Sequence, residues 1–191
     1  PLRVLSSNFP IGIKYNAGTS AQLKSAVMLA GLNSYGITKI TEKQKSRDHT
    51  ENMLKKNDSA IKILNKKNRV INVTGKKKLE KFSINVPGDP SSAAFFTALT
   101  LIKKNSVLKI RNVGLNPTRT GFYNLLKKSG AKIKFLNIKK INNERVGDIE
   151  VKSSKLKPII ASKKYYLNTT DEYPILFIIS ALISGKSSFS G

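Results

Sequence analysis

The 191-residue sequence contains no cysteine, and its single histidine is His49. The lack of cysteine excludes disulfides, thiolate metal sites and a cysteine nucleophile. One histidine is too few for a metal site built from several imidazoles. We therefore expect the chemistry of this chain to depend on other side chains, without a thiolate or multi-histidine metal site.

Long hydrophobic runs are also lacking. No stretch reaches the roughly 18 apolar residues of a membrane span, and the most apolar segment, Ile175 to Ile183, predicts a buried helix. A charged segment followed by an apolar one, as in a signal peptide, is absent. The sequence opens at Pro1 and stops at Gly191 in mid-pattern, so we expect an internal piece of a cytoplasmic protein.

Acidic residues are scarce: 11 Asp and Glu stand against 35 Lys and Arg, for a formal net charge of +24. Such an excess suggests a polyanionic partner. However, Lys outnumbers Arg by 29 to 6 and is spread along the whole chain, whereas nucleic-acid surfaces tend to cluster Arg and aromatic residues. We expect no nucleic-acid and no membrane partner, and a basic α/β nucleic-acid-binding domain is the minor alternative.

The sequence also contains an internal repeat of about 70 residues. Ser20–Ala26 aligns with Ser91–Thr97 at an offset of 71, and Ser46–Thr50 aligns with Thr118–Phe122 at an offset of 72. Each of these four segments leads into a predicted helix. The two complete units therefore share an order of helix, strand, helix, strand, strand.

The strands of these units are predicted from β-rich apolar runs. They are expected at Ile37–Thr41, Ala60–Leu64, Val70–Val73 and Phe82–Val86 in the first unit, and at Val107–Val113, Lys132–Leu136 and Asp148–Val151 in the second. A third unit starts at Thr170 with a helix over Pro174–Ile183. Alternating helices and strands predict an α/β fold with helices on one face of a mixed sheet.

Val86–Pro90 marks the junction between the two complete units, because two prolines and a glycine within five residues break regular structure. Asp89 is predicted to be the N-cap of the next helix, with Pro90 in its first turn. We place a domain boundary here, between residues 1–87 and 88–191.

The first candidate site segment is Gly18–Gln22, at the start of a helix predicted over Ser20–Leu32. A helix N-terminus offers unpaired N–H groups to a phosphate or carboxylate, and Ser20 and Gln22 add side-chain donors. The alternative is that Ser20 only caps the helix.

The second candidate segment is Ser46–Glu51, before a helix predicted at Asn52–Lys62. Arg47 supplies a guanidinium suited to bidentate phosphate binding. The alternative is that Ser46 or Thr50 caps the helix, with Glu51 as its dipole partner.

Two further segments precede later helices. Arg119 in Asn116–Gly121 matches Arg47 by the repeat, and a structural role is as well supported as ligand contact; Thr118 or Thr120 is expected to cap the next helix. Asp171, before the apolar third-unit helix, is either an N-cap or a carboxylate that orients or deprotonates a substrate hydroxyl.

Together these segments resemble the enolpyruvyl transferases, in particular those that act on shikimate 3-phosphate. The motifs that carry the resemblance are SAQLKSA at Ser20–Ala26, SRDHTE at Ser46–Glu51, PGDPSSAAFF at Pro87–Phe96, NVGLNPTRTGF at Asn112–Phe122 and DEYPIL at Asp171–Leu176. The resemblance covers almost the whole chain, and PGDPSSAAFF and NPTRTG are its most specific parts.

The resemblance implies an inside-out α/β barrel fold, with two domains that are each built from three β-α-β-α-β-β units. Residues 1–87 would be the C-terminal part of the first domain, and 88–191 part of the second. Ser20, Ala21, Gln22, Ser46 and Arg47 would bind shikimate 3-phosphate, Gln22 would also approach phosphoenolpyruvate, and Asp171 would accept the proton of the 5-hydroxyl. The implied full-length enzyme is a cofactor-free monomer.

Several motifs of the family lie outside this sequence. Its Lys-Ser pair, its Gly-Asn-x-Gly-Thr loop and its Lys-Glu-[ST]-Asp-Arg motif would precede Pro1 or follow Gly191. We therefore expect no transferase turnover from these 191 residues alone. The remaining alternative within the family is an enzyme acting on UDP-N-acetylglucosamine, which SRDHTE and GDPSSA disfavour.

Overall fold

The computed structural model describes residues 3, 5, 7–57, 59–65 and 69–190 of the chain. By its backbone contacts the chain divides into two compact units, unit 1 (Pro1–Ser83) and unit 2 (Ile84–Gly191). None of the helices within the described residues is long and apolar enough to cross a lipid bilayer.

Unit 1 combines a β-α-β crossover with an antiparallel hairpin. Its elements are β1 (Lys14–Asn16), α1 (Ala21–Asn33), β2 (Ile37–Thr41), α2 (His49–Leu54), β3 (Ile61–Asn65) and β4 (Val70–Thr74). The strands form a sheet in the order β1-β2-β4-β3. β1 runs parallel to β2, and the other neighbours are antiparallel. Helix α1 packs against β2 and β4.

Buried and exposed side chains alternate along the strands of unit 1, and the buried ones form its core. In β2 the side chain of Ile40 is buried while those of Ile37 and Lys39 are exposed, and in β4 Ile71 and Val73 are buried. This period-2 pattern is what a strand with one covered face requires. Met28 of α1 is fully buried against these residues.

Unit 2 contains one complete repeat of this order of helices and strands, followed by the first elements of another. Its elements are α3 (Pro90–Ile102), β5 (Val107–Gly114), α4 (Gly121–Lys128), β6 (Lys132–Ile141), β7 (Glu144–Lys152), β8 (Ile160–Ala161), α5 (Tyr166–Thr169), α6 (Tyr173–Ala181) and β9 (Ser188–Phe189). The sheet order is β5-β7-β6, and β8 pairs with β9 in parallel on either side of α6. Its core includes Phe122, Tyr123, Leu126, Ile149 and Leu176.

The predicted repeat is confirmed by the topology. The strand order is first, third, second in both units, as β2-β4-β3 and as β5-β7-β6, with antiparallel neighbours. The equivalent helices begin at Ala21 and Pro90, 69 residues apart rather than the 71 of the sequence alignment. The two-residue difference arises because Asp89, and not Ser91, occupies the capping position of Ser20.

Two predicted elements are wrong. The helix predicted at Asn52–Lys62 is instead His49–Leu54, because turns at Asn57 and Ala60 lead directly into the strand that pairs with β4. The strand predicted at Phe82–Val86 is not formed, since this segment is exposed and is not hydrogen-bonded as a strand to any described part of the chain.

The apolar helix predicted at Ile175–Ile183 is only half buried. Ile175, Leu176 and Ile179 lie in the core of unit 2, whereas Phe177 and Ile178 are more than half exposed. Helix α3 shows the same arrangement in a stronger form. Its inward face carries mainly small residues together with Leu101. Four of its large apolar residues point outward, namely Phe95, Phe96, Leu99 and Ile102.

Candidate functional site

Two of the predicted segments meet at the carboxyl ends of the parallel strands β1 and β2. Asn16 and Thr41 are register partners at the last positions of these strands. Gly18–Gln22 follows β1, and Glu42–Arg47 follows β2. The N–H of Lys43 donates to the carbonyl of Gly18 at 2.9 Å, which ties the two segments together. This edge of a parallel β-α-β unit is where ligands of α/β proteins commonly bind.

Ser20 caps α1, as one of the two interpretations predicted. Its hydroxyl oxygen accepts from the N–H of Leu23 at 3.2 Å. A serine that accepts through its oxygen still has its O–H to donate, so capping does not prevent contact with an anion. Ala21 begins the helix, and Gln22 is exposed in its first turn.

Ser46 and Arg47 lie in the loop between β2 and α2. Ser46 is buried, and both its N–H (3.1 Å) and its hydroxyl donate to Oε1 of Glu42. The carbonyl of Arg47 accepts from Nζ of Lys24 at 2.8 Å. The capping alternative for Ser46 and Thr50 is wrong, because Asp48 occupies the cap position and the Thr50 hydroxyl pairs with Ser25 at 2.7 Å.

A group of four charged residues, three of them buried and one partly buried, supports this loop, and the sequence analysis missed it. We call Lys24, Glu42, Glu51 and Arg69 the buried ion cluster. Nζ of Lys24 lies 2.9 Å from Glu42 and 2.8 Å from Glu51, and Nη2 of Arg69 lies 3.2 Å from Glu51. The side chain of Lys24 is 0% exposed. One signal was available: Lys24 shares a helical face with Met28 and Gly31, where a lysine needs an acidic partner.

In unit 2, Arg119 connects the loop after β5 to the start of α3. Its Nη2 lies 2.7 Å from Oδ1 of Asp89 and donates to the Ser91 hydroxyl at 2.7 Å. Asp89 caps α3 by accepting from the N–H groups of Ser91 and Ser92. Partial burial raises the pKa of Asp89, but these amides, the Ser92 hydroxyl and Arg119 outweigh burial and lower it. The structural interpretation of Arg119 is thereby confirmed.

Asp171 lies in a 3-10 turn, Thr170–Glu172, just before α6. The prediction that it is the N-cap is wrong, since Glu172 occupies that position. The Asp171 side chain is 43% exposed, and its Oδ2 lies 4.0 Å from Nη2 of Arg119. Ser91 donates its hydroxyl to Glu172. The starts of α3 and α6 are thus joined side by side, with the carboxylate of Asp171 at their edge.

Gly121 explains why the NPTRTG segment ends in glycine. A Cβ at this position would lie 2.5 Å from the carbonyl oxygen of Asn168 and would collide with the side chain of Thr169. The first residue of α4 therefore packs directly on α5, which leads into the turn that carries Asp171. Neither Thr118 nor Thr120 caps α4 through its side chain: Thr118 bonds to Asn116, and Thr120 occupies the cap position without a capping bond.

The chemistry available at these positions is that of anion binding and proton transfer. Unit 1 offers a helix start with hydroxyl and amide donors beside an arginine-bearing loop, and unit 2 offers an accessible carboxylate near a guanidinium. Within the described ranges, no group of His, Asp and Glu residues is arranged to hold a metal ion.

Comparison with known proteins identifies relatives along nearly the whole chain. The family model of EPSP synthase (3-phosphoshikimate 1-carboxyvinyltransferase) matches residues 9–191. The 3-phosphoshikimate 1-carboxyvinyltransferase of Zymomonas mobilis is 44% identical over 100% of this chain and 43% of its own length. That of Petrotoga mobilis is 48% identical over 88% of this chain and 39% of its own length.

A solved structure of EPSP synthase from Acinetobacter baumannii superimposes with a TM-score of 0.81 at 38% identity, over 95% of this chain and 40% of that one. The fold class predicted from the repeat is therefore confirmed. The chain spans about two fifths of the length of the curated relatives it matches.

Proposed function

Because the chain belongs to the EPSP synthase family, we propose that it forms part of an enzyme that transfers the enolpyruvyl group of phosphoenolpyruvate to shikimate 3-phosphate. The 5-hydroxyl of shikimate 3-phosphate adds to C2 of phosphoenolpyruvate while C3 gains a proton. The tetrahedral intermediate then loses phosphate to give the enolpyruvyl ether. The relatives reported above are named for this shikimate substrate, which favours it over UDP-N-acetylglucosamine.

The observation that carries this proposal is the meeting of Gly18–Gln22 and Glu42–Arg47 at the carboxyl edge of β1 and β2. Ser20, Ala21 and Gln22 present a helix start to the phosphorylated ring, and Gln22 extends toward phosphoenolpyruvate. Arg47 provides the cation. Because Ser46 donates its hydroxyl to Glu42, its oxygen can still accept from a ring hydroxyl.

Asp171 is the proposed proton acceptor. Its exposed carboxylate can accept the proton of the 5-hydroxyl as C2 is attacked. Its position near Arg119 keeps a cation beside the carboxylate without burying it. The net charge of +24 suits a protein whose two substrates are anions, because a cationic surface raises their local concentration.

We assign residues 1–87 to the C-terminal part of a first domain and residues 88–191 to part of a second domain of a monomeric, cytoplasmic enzyme without cofactor. The two compact units support this division. The outward apolar face of α3 supports the proposal that unit 2 is an incomplete domain, since large apolar helix faces are ordinarily covered.

A chimera tests the function. Residues 9–191 replace the matched segment of the Zymomonas mobilis enzyme, and phosphate release is measured with both substrates. We expect turnover, and a loss of at least about 100-fold in kcat for Asp171→Asn. A folded chimera that neither binds shikimate 3-phosphate nor forms product would refute the proposal. The 191-residue chain alone is expected to give no turnover.

A further inference from the structure

Lys24 lies at the centre of a contact pattern that reaches both substrate-binding segments of unit 1. It belongs to α1, whose first turn carries Ser20 and Gln22, and its ammonium contacts the loop that carries Ser46 and Arg47. An ammonium group has three N–H donors. Here they have three acceptors, namely one oxygen each of Glu42 and Glu51 and the backbone carbonyl of Arg47.

Glu42 forms the second half of this arrangement. Its Oε1 accepts from the N–H and hydroxyl of Ser46 as well as from Lys24. A single carboxylate oxygen therefore fixes the residue that precedes Arg47, and Lys24 fixes the carbonyl of Arg47 itself. The loop between β2 and α2 has no regular secondary structure at these positions, so these bonds help to fix where its backbone lies.

Arg69 adds a second cation. It pairs with Glu51 at 3.2 Å, and it lies 3.6 Å from Glu42 and 3.9 Å from Asp48. The four residues of the buried ion cluster therefore carry two cations and two carboxylates, and the carboxylate of Asp48 lies beside them. Burying an ion pair is a poor way to gain stability, because desolvation offsets the attraction between the charges. What such a cluster can provide is a fixed geometry, because its hydrogen bonds are directional.

We infer that Lys24 is a positioning residue for substrate binding: through Glu42 and the Arg47 carbonyl it holds the Ser46–Arg47 loop in register with the start of α1. This inference rests on the proposed function, since it concerns the same site. It assigns the buried ion cluster a role in the affinity for the phosphorylated substrate, in addition to its contribution to folding.

The first test measures hydrogen exchange in the 191-residue chain. Lys24→Met should reduce the protection of the Ser46 amide more than that of the Ile40 amide in the core strand. Met28→Ala, which opens a cavity one turn further along α1, is the control for lost stability and should lower both together. Equal losses at Ser46 and Ile40 in Lys24→Met would contradict the inference.

The second test uses the chimera and separates KM from kcat. The double variant Lys24→Met/Glu51→Gln removes one charge of each sign, so Glu42 keeps Arg69 as its partner and we expect the variant to fold. We expect the KM for shikimate 3-phosphate to rise about tenfold or more, with kcat nearly unchanged because uniform binding is lost. Met28→Ala should leave the KM unaltered.

The outcomes separate this inference from the proposed function. An inactive parent chimera counts against the function, and the exchange experiment still decides whether Lys24 holds the loop. If the parent chimera is active and the double variant has the same KM, the positioning role is overturned while the proposed function stands.

Discussion

Nη2 of Arg119 lies 4.0 Å from Oδ2 of Asp171. The same guanidinium nitrogen holds Asp89 and Ser91 at the start of α3. Arg119 therefore links the capping of one helix to the position of the carboxylate that precedes another. The proposed proton acceptor therefore lies beside a cation from the loop after β5.

Replacing Arg119 by Met should separate these two helix starts. We expect a loss of about 1 kcal/mol in the free energy of unfolding of unit 2, because the Arg119–Asp89 pair is only partly buried and exposed pairs contribute little. Urea denaturation of the 191-residue chain measures this change. Arg111→Met, at an exposed arginine of β5, is the matched control and should unfold like the parent chain. Equal stability of the two variants would contradict the prediction.

Asp148 makes the stability of unit 2 dependent on pH. The Asn137 side-chain amide, followed by the Asn112 N–H and Lys109, lowers the pKa of Asp148 to about 2. A carboxyl whose pKa is lowered by folding stabilises the fold above its unfolded pKa of about 4 and ceases to do so as the pH falls toward its folded pKa. Both asparagines adopt positive φ beside register shifts in the strands that flank β7.

Asp148→Asn should therefore be less stable than the parent chain at pH 6, and the gap should close as the pH approaches 2.5. Chemical denaturation at a series of pH values gives this difference directly. Glu150→Gln, two residues further along β7, is the control. A gap for Asp148→Asn that stays constant between pH 6 and pH 2.5 would show that the ionised carboxylate is not responsible.

Substitutions at Ser20 can distinguish its role in helix capping from its proposed role in anion binding. Ser20→Ala should cost about 1 kcal/mol of stability, because the N–H of Leu23 loses its acceptor. Ser20→Asp keeps an acceptor and should remain as stable as the parent chain. In the chimera, however, its negative charge should raise the KM for shikimate 3-phosphate at least as much as Ser20→Ala does. An unchanged KM in Ser20→Asp would remove Ser20 from the proposed site.

The sequence predicted the repeat and the starts of α1 and α3 well because these depend on local signals. Asp89-Pro90 and Ser20 cap helices through bonds to residues two or three positions away. The β-rich apolar runs likewise identified β2 and β4. The strand predicted at Phe82–Val86 is not formed because strand formation depends on a partner distant in sequence. A segment of alternating apolar and polar residues becomes a strand only where a neighbouring strand hydrogen-bonds to it.

The site residues that the sequence predicted lie within short motifs. The residues that support them are far from one another in sequence. Lys24 and Glu42 are 18 residues apart, as are Glu51 and Arg69. Spacing alone gives no reason to join them, because the pairing depends on how α1 packs on β2 and β4. Arg119 was identified as a repeat partner of Arg47, but its bonds to Asp89 and Ser91 required the fold.

The outward face of α3 should be a covered surface in the complete enzyme. Phe96 and Leu99 are at least 60% exposed here, while the buried face of the helix carries Ala93, Ala94 and Ala98. In the 191-residue chain, Phe96→Ser and Leu99→Ser should reduce binding of a hydrophobic dye and self-association. Their effect on stability should stay within about 0.5 kcal/mol, because the side chains are already in water.

In the chimera the same substitutions should lower the melting temperature, because the segments contributed by the relative would there pack on these side chains. Ile160→Ser, at a residue of β8 with similar exposure, is the control in both proteins. A chimera that tolerates Phe96→Ser and Leu99→Ser as well as the isolated chain does would mean that this face stays exposed in the whole enzyme.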